Sequence, residues 1–496
     1  MRRNLQSPPI TTFFGFGICY FGFSPSPSEP KVPRMSRCFP CWLLLALVCA
    51  DGISAAAAAQ VWQVGAAKVD VTPHYPIRLT GYAVRKKESE GIAQRLYARA
   101  LAIGSDEQVA ILITVDNCGV PAGVRNTVLE RLSKQVHLTS ERLAICSTHT
   151  HSGPWLEGFA PNIFGAPVSP EEQARVHRYT GELTEALEQV ALQALKARTP
   201  AHLAWAKAQA GFAANRRTKG GPVDHDLPLL VVTAPDGALR AVFISYACHC
   251  TTLGGEFNQI CGDWAGFAGE NIEHEHPGAI ALVGLGCAGD ANPAPRGTLD
   301  LAREHGKEIS AAIEPFLAPS TDKLLTLTGN LDCRTKQIEL PFDTLPTRAE
   351  WERLAAQTNY VGGHARLNLA RLDRGEALPT KIPYLVETWT FGNELAMVFL
   401  PGEVVVDYSL RLKREFDASR LWVNAYANDV PCYIPSERVL QEGGYEGGGA
   451  MIFYDRPTRF ASGVETRIIT AVHDLVPSEF TTLSAKSQNP SHAKAP

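Results

Sequence analysis

LLVVTAPDGALRAVFISYACHC, residues 229–250, decides the fold. Two apolar, β-branched runs, Leu229 to Thr233 and Ala241 to Cys248, flank Pro235-Asp236-Gly237. That turn chemistry joins two antiparallel strands. A helical stretch from Trp264 to His274 and a further apolar run from Ile280 to Leu285 follow. A strand–helix–strand crossover makes its two strands parallel, so their C-terminal ends share one edge of the sheet. Ligands of open α/β sheets bind beyond those ends.

The same order of elements occurs twice more. Leu101 to Ile103, a Gly-Ser-Asp-Glu turn and Val109 to Val115 precede a helical stretch over Val124–Gln135 and the strand Leu143–Ser147. Glu387 to Phe391, a Gly392-Asn393 turn and Leu395 to Leu400 precede a helix over Val404–Glu415 and the strand Leu421–Tyr426. The fold class expected is α/β: layered mixed β-sheets with helices, built from three hairpin–helix–strand units. Thr298–Pro315 reads as an amphipathic helix and Thr347–Arg374 as one or two more.

Composition bounds the rest. The chain has 496 residues, 45% of them hydrophobic and 20% charged, and its 47 Lys and Arg against 51 Asp and Glu leave a net charge of −4. That supports a large hydrophobic core and gives no basic surface for nucleic acid. Met35-Ser-Arg-Cys-Phe-Pro-Cys41 precedes an apolar run from Trp42 to Ala50 and small residues from Ser54 to Ala59. The run is far shorter than the roughly 20 residues of a membrane-spanning helix. It predicts a cleaved signal peptide over 35–59, with 1–34 a leader or a mis-assigned start, and a secreted or periplasmic protein. A catalytic domain over 60–483 and a disordered tail over 484–496 complete the expected organisation. Eight cysteines fall after residue 60, without a CxxC pair, and export makes one or two disulfides an expectation.

The chemistry-bearing residues stand at the strand ends. Ser147-Thr-His149-Thr-His151-Ser-Gly-Pro154 closes the first unit. A bend at Ser-Gly-Pro lets the two imidazoles diverge into a metal ligand and an acid/base, the alternative being a hydrogen-bonded pair at a strand end. His249, between Cys248 and Cys250, ends an apolar run where an unpaired imidazole would be poorly solvated. Pro401-Gly-Glu403 sets a carboxylate at the matching position of the third unit, and Asp116 and Asp290 occupy similar positions in the first two. Two His and a Glu on an open face are a common catalytic zinc set. Such a site lowers the pKa of bound water to about 7. Gly284-Leu-Gly-Cys-Ala-Gly289 matches GxGxxG, but Pro293 and Pro295 oppose the helix that a dinucleotide site requires.

These strings also resemble, in order, those of neutral, non-lysosomal ceramidases. The resemblance rests on Asp70-Val-Thr-Pro73, Thr80-Gly-Tyr-Ala83, Arg95-Leu-Tyr-Ala-Arg-Ala100, the His149/His151 string, Asn215-Arg216, Gly262-Asp263, Pro401-Gly-Glu403, Asn424-Ala-Tyr-Ala427 and Tyr445-Glu-Gly447. It spans residues 61–475. It implies Zn2+ held by His149, His249, Glu403 and Tyr433, with His151 moving the proton and Tyr445 and Arg216 stabilising the oxyanion. The substrate it implies is a small molecule or lipid with an N-acyl bond, such as ceramide.

The chain departs from the family pattern in three places. Asn428-Asp429-Val-Pro-Cys intervenes before Tyr433, which makes Asp429 a competing ligand. Gly-Pro-Gly-Gly becomes Gly153-Pro-Trp155-Leu, which puts a large side chain near the expected substrate entrance. No C-terminal immunoglobulin-like domain is expected. Rival readings are an esterase or amidase for another acylated compound, and a catalytically silent binding protein of the same fold. Ser152-Gly-Pro154 stands where a metallo-β-lactamase needs Asp and His, and the unit count does not suit a TIM barrel.

Overall fold

The computed structural model describes residues 60–318 and 321–482. The expected leader, signal segment and tail lie outside them. In chain order the first part comprises β1 (Trp62–Asp70), β2 (Tyr97–Ile103), β3 (Ala110–Val115), α1 (Ala122–Ser133), β4 (Leu143–Ser147), α2 (Pro170–Lys196) and β5 (Thr199–Gln209). Next come β6 (Ala213–Asn215), β7 (Asp226–Thr233), β8 (Leu239–Tyr246), α3 (Asp263–Glu275), β9 (Ile280–Leu285), β10 (Ala291–Pro293), α4 (Leu299–Leu317) and β11 (Leu325–Thr326). The remainder comprises β12 (Leu331–Pro341), α5 (Arg348–Ala355), α6 (Tyr360–Asp373), β13 (Lys381–Phe391), β14 (Leu395–Phe399) and β15 (Glu403–Val404). It ends with α7 (Asp407–Glu415), β16 (Leu421–Asn424), β17 (Tyr433–Ile434), α8 (Glu437–Glu442) and α9 (Val464–Leu475).

A large mixed sheet runs β4-β3-β2-β1-β5-β7-β8-β9, with β11 added to β5, and a second runs β12-β13-β14-β16. Within them β2/β3, β7/β8 and β13/β14 are antiparallel, whereas β3/β4, β8/β9 and β14/β16 are parallel. Alternation along the strands builds the layers. In β8, Ala241 and Phe243 join one core while Val242 and Ile244 join the other; in β14, Leu395, Met397 and Phe399 alternate likewise with Ala396 and Val398. One core lies between the sheets, where Phe243 stacks on Trp422 with centroids 4.8 Å apart and Trp422 Nε1 donates to Ser245 Oγ at 2.7 Å. The other core holds the outer faces against helices, Leu183 and Leu187 of α2 on one side and Ile468 and Val472 of α9 on the other. Strands buried on both faces read as unbroken apolar runs, which is how they appear in the sequence.

Several elements differ from expectation. Helix α2 is unassigned in the sequence reading, yet it carries a capping box from Ser169 to Glu172 and buries Val176, Tyr179, Leu183, Leu187 and Val190. Helix α7 begins at Asp407 rather than Val404, because Glu403 and Val404 pair in parallel with Tyr433 and Ile434. The stretch 347–374 forms two helices, α5 and α6. The expected disulfides are not formed: the eight described cysteines are free and buried, and serve as small apolar packing groups.

The Asn424-Ala-Tyr-Ala427 segment joins the sheets at their common edge. Ala425 N donates to Leu285 O at 2.9 Å, and Ser147 N donates to Tyr426 O at 3.1 Å. Asn428 N donates to Ile145 O at 2.7 Å and Tyr426 N to Gly402 O at 3.2 Å. The ends of β4 and β9 are thereby bound to the Pro401-Gly-Glu403 turn. Tyr426 and Asn428 adopt left-handed backbone angles (φ 53° and 65°) to make these alternating contacts, a cost accepted where the surrounding structure over-determines the bend.

Candidate metal centre

His149 follows β4 with φ 56°, and this left-handed residue is the bend that breaks strand alternation. Its ring turns back so that Nδ1 donates to Cys118 O at 2.5 Å. His249 follows β8 and its Nδ1 donates to Ala288 O at 2.7 Å. With each Nδ1 proton committed to a backbone carbonyl, each Nε2 presents a lone pair, the arrangement that orients metal-binding histidines. Trp264 at the start of α3 steadies the second ring by donating from Nε1 to His249 O at 2.9 Å. The Gly262-Asp263 string serves this placement, since Asp263 accepts from Leu253 N at 3.0 Å and Trp264 N at 2.7 Å.

Glu403 Oε2 lies 3.2 Å from His149 Nε2 and 3.0 Å from His249 Nε2. Tyr433 OH lies 3.3 Å from His249 Nε2. Zinc ligands sit ~2.0–2.1 Å from a tetrahedral centre and therefore about 3.3 Å from one another. All of these groups are buried. Two facing lone pairs and a carboxylate in one buried pocket fit a divalent cation and repel one another without positive charge. Burial would raise the Glu403 carboxyl, but the charges and hydrogen bonds of His149 and His249 hold it well below the usual carboxylate range. The matching positive charge is a proton on His149, held up at about 10 by Cys118 and Glu403 against its burial, or a metal ion. His249 falls to about 4, through burial and then the Arg216 charge.

His151 Nε2 stands 3.1 Å from His149 Nε2, while its buried Nδ1 has no partner. Burial, then the neighbouring His149 and His249, hold its pKa well below the ordinary value, so the ring is a neutral base. Gly81 (φ 87°) packs against it, and a Cβ there would lie 2.3 Å from His151 Cγ. The Thr80-Gly-Tyr-Ala83 string thus makes room for this ring.

Arg216 donates to Tyr433 OH at 2.8 Å and to Glu446 Oε1 at 2.7 Å. Asp290 fixes its loop, accepting from Asn215 Nδ2 at 2.9 Å, while Arg216 N donates to Asp290 O at 2.8 Å. Asp116 instead pairs with buried Arg99 at 3.2 Å. Tyr445 lies on the rim, its ring 5.2 Å from that of Tyr433, and lines both cavities that open on the cluster.

Asp429 and Trp155 have other partners. Asp429 accepts from Ala122 N at 3.0 Å, at the start of α1. Burial raises its carboxyl to about 6. Trp155 does not line the cavity at the cluster: its Nε1 donates to Phe159 O at 2.7 Å, and the ring lines a neighbouring cavity with Pro161 and Phe164. Tyr454 and Cys118 are missed in the sequence. Tyr454 OH donates to Glu403 Oε1, and Cys118 lies under His149 with its Sγ 3.6 Å from Nδ1. Tyr454 sits in a short irregular segment without a periodic signal. The GxGxxG string also acquires a role: a Cβ on Gly289 would lie 2.6 Å from Glu403 O, so its missing side chain admits the Glu403 backbone.

Residues 62–283 match the family model described as "Neutral/alkaline non-lysosomal ceramidase, N-terminal". That match covers a little under half of the chain. That segment holds His149, His151, Arg216 and His249, whereas Glu403 and Tyr433 come from beyond it. Neutral ceramidase of Drosophila pseudoobscura pseudoobscura is 24% identical over 276 residues, covering 50% of this chain and 38% of the relative. Neutral ceramidase A of Dictyostelium discoideum is 24% identical over 268 residues, covering 48% and 36%. The aligned region thus spans a little over a third of these relatives. The crystal structure of neutral ceramidase from Pseudomonas aeruginosa shares the fold, with a TM-score of 0.65 at 19% identity over 85% of this chain and 76% of that one. Among the described residues, no helix is long and apolar enough to cross a membrane.

Proposed function

We propose that the chain is a zinc-dependent hydrolase that cleaves an N-acyl bond, in ceramide or a related acylated lipid. The observation that carries this is the convergence of His149 Nε2, His249 Nε2 and Glu403 Oε2 at mutual ligand spacing, with their atoms within 4.8 Å of one another. Tyr433 is the fourth ligand in this reading. A bound zinc ion would supply an acidified water and polarise the acyl carbonyl. The protein does the rest. His151, neutral and beside His149, takes the proton of the attacking water and returns it to the leaving amine. The hydroxyl of Tyr445 donates to the developing oxyanion, and Arg216 adds positive charge while fixing Tyr433.

Three hairpin–helix–strand units carry the centre at their strand ends in this account, a reading supported by the parallel pairs β3/β4, β8/β9 and β14/β16. His151 favours a hydrolase over a silent binding protein, because a neutral imidazole stands 3.1 Å from His149 Nε2, where a base is needed. Export belongs to the same proposal; N-terminal sequencing of the mature protein, expected to begin near residue 60, tests it.

The deciding assay is fatty-acid release from ceramide, with and without a chelator, by wild type and His151→Ala. Release that needs both the metal and His151 supports the proposal. Release unaffected by either refutes it. A metal-loaded protein inert on ceramide but active on another N-acyl compound would change the substrate and keep the reaction.

A further inference from the structure

Two cavities meet at the centre, and they differ in chemistry. The narrower has Phe159, Ala160, Ile163 and Phe453 among its walls. The wider, about 610 Å³, is walled by Tyr82, Arg217, Thr251, Asn292, Arg296 and Glu446 among others. Both include Gly81, His151, Tyr433 and Tyr445, so a substrate held at the cluster can place one end in each.

Charge accounting in the wider cavity leaves one group over. Glu446 pairs with Arg216 at 2.7 Å and with Arg217 at 2.6 Å, and Glu442 pairs with Arg217 at 3.1 Å. Three arginines therefore face two glutamates. Arg296 is the one left without a carboxylate among the described residues. Its backbone is nonetheless pinned on both sides: buried His305 donates from Nε2 to Pro295 O at 2.7 Å, and Gly297 N donates to Thr252 O at 2.7 Å. Asn292 adds a donor, because its Oδ1 accepts from Thr251 at 3.2 Å and from Arg216 at 3.4 Å, which leaves Nδ2 for a ligand. An exposed guanidinium on a pinned backbone and a free amide donor in a roomy polar cavity are suited to an oxyanion such as a carboxylate.

We infer that the wider cavity is an anion-binding subsite centred on Arg296, which recognises a negatively charged group on the amine side of the scissile bond. This rests on the hydrolase reading above, and within it favours N-acyl compounds with an anionic head, N-acyl amino acids being the simplest, over ceramide, whose head is uncharged. The narrower cavity, about 40 Å³, receives only the first carbons of the acyl chain, beside Phe159 and Ile163.

The test pairs N-dodecanoylglycine with N-dodecanoylethanolamine, which share a chain and differ in head-group charge. Metal-loaded full chain and Arg296→Glu are compared in turnover. The same pair is compared for binding in a His151→Ala background. The expected result is a tenfold or greater rise in KM and Kd for the glycine conjugate on charge reversal, with the ethanolamine conjugate changed less than twofold. Equal changes for both ligands, no change, or tighter wild-type binding of the neutral ligand would overturn the inference. The binding comparison reads without turnover, so failure of amide hydrolysis would sink the hydrolase reading and still leave the head-group contrast measurable.

Discussion

Glu403 and Tyr433 are direct neighbours across the two-residue parallel bridge β15/β17, which places both side chains on one face. Thirty residues apart in sequence, they converge on His249, Glu403 through Oε2 at 3.0 Å and Tyr433 through its hydroxyl at 3.3 Å. The bridge makes the acidic and phenolic halves of the centre a single structural unit. Tyr433→Phe keeps the bridge and removes one oxygen. Metal affinity, read by competition with a chromophoric chelator, is expected to fall about 10–100-fold. Glu403→Ala is expected to abolish stoichiometric binding. Unchanged affinity in Tyr433→Phe would remove the tyrosine from the ligand set.

Gly81 gives a sharper separation of roles. A methyl group there collides with His151, to which its three nearest atoms all belong, and must also adopt φ 87°. Gly81→Ala is expected to retain bound metal while kcat falls about 10²–10⁴-fold, the range ascribed to a positioned acid/base. Metal loss together with activity loss would show that the loop supports the whole centre instead.

Gly289 tests the opposite case. Its Cβ would press on the Glu403 carbonyl, where Gly289 N donates to Val404 O at 2.8 Å. Gly289→Ala is expected to lower thermal stability by about 1–3 kcal/mol, as overpacking does, and to weaken metal binding. A variant with wild-type melting and metal content would contradict the close approach.

Asp455 supplies the pH dependence. Burial would raise its carboxyl, but hydrogen bonds from Arg371 and His364 outweigh this and hold it at about 2. A carboxyl depressed in the folded state stabilises it above the unfolded value near 4, and that contribution is lost as pH falls through about 2. Asp455→Asn is thus expected to melt lower at pH 7, by about 1–2 kcal/mol after solvent screening. The gap from wild type should close between pH 4 and pH 2. A gap independent of pH would assign the loss to packing.

The parts legible in the sequence were those governed by local periodicity and turns. The apolar runs ending at Ser147, Cys248 and Leu400 announce strands buried on both faces, and Pro235-Asp236-Gly237 announces a hairpin. His149, His249 and Glu403 could be grouped because each closes such a run. Tyr454 could not, since it reaches Glu403 from a segment with no period, and contact across 51 residues leaves no local trace. Asp429 and Tyr433 are likewise indistinguishable in the sequence; the parallel bridge accompanies a Tyr433 hydroxyl 3.3 Å from His249 Nε2, while Asp429 accepts from Ala122 N. Helix α2 carries its signals in the sequence, a capping box from Ser169 to Glu172 and an apolar stripe from Val176 to Val190.

The central claim is that His149, His249 and Glu403 hold one metal ion that amide cleavage requires. Metal stoichiometry of the purified chain by elemental analysis, for wild type and His249→Ala, tests it most directly. The account predicts about one zinc per wild-type chain and almost none in His249→Ala, with both proteins folded by circular dichroism. Equal zinc in the two proteins, or a wild-type chain that takes up none from zinc-containing buffer, would contradict it.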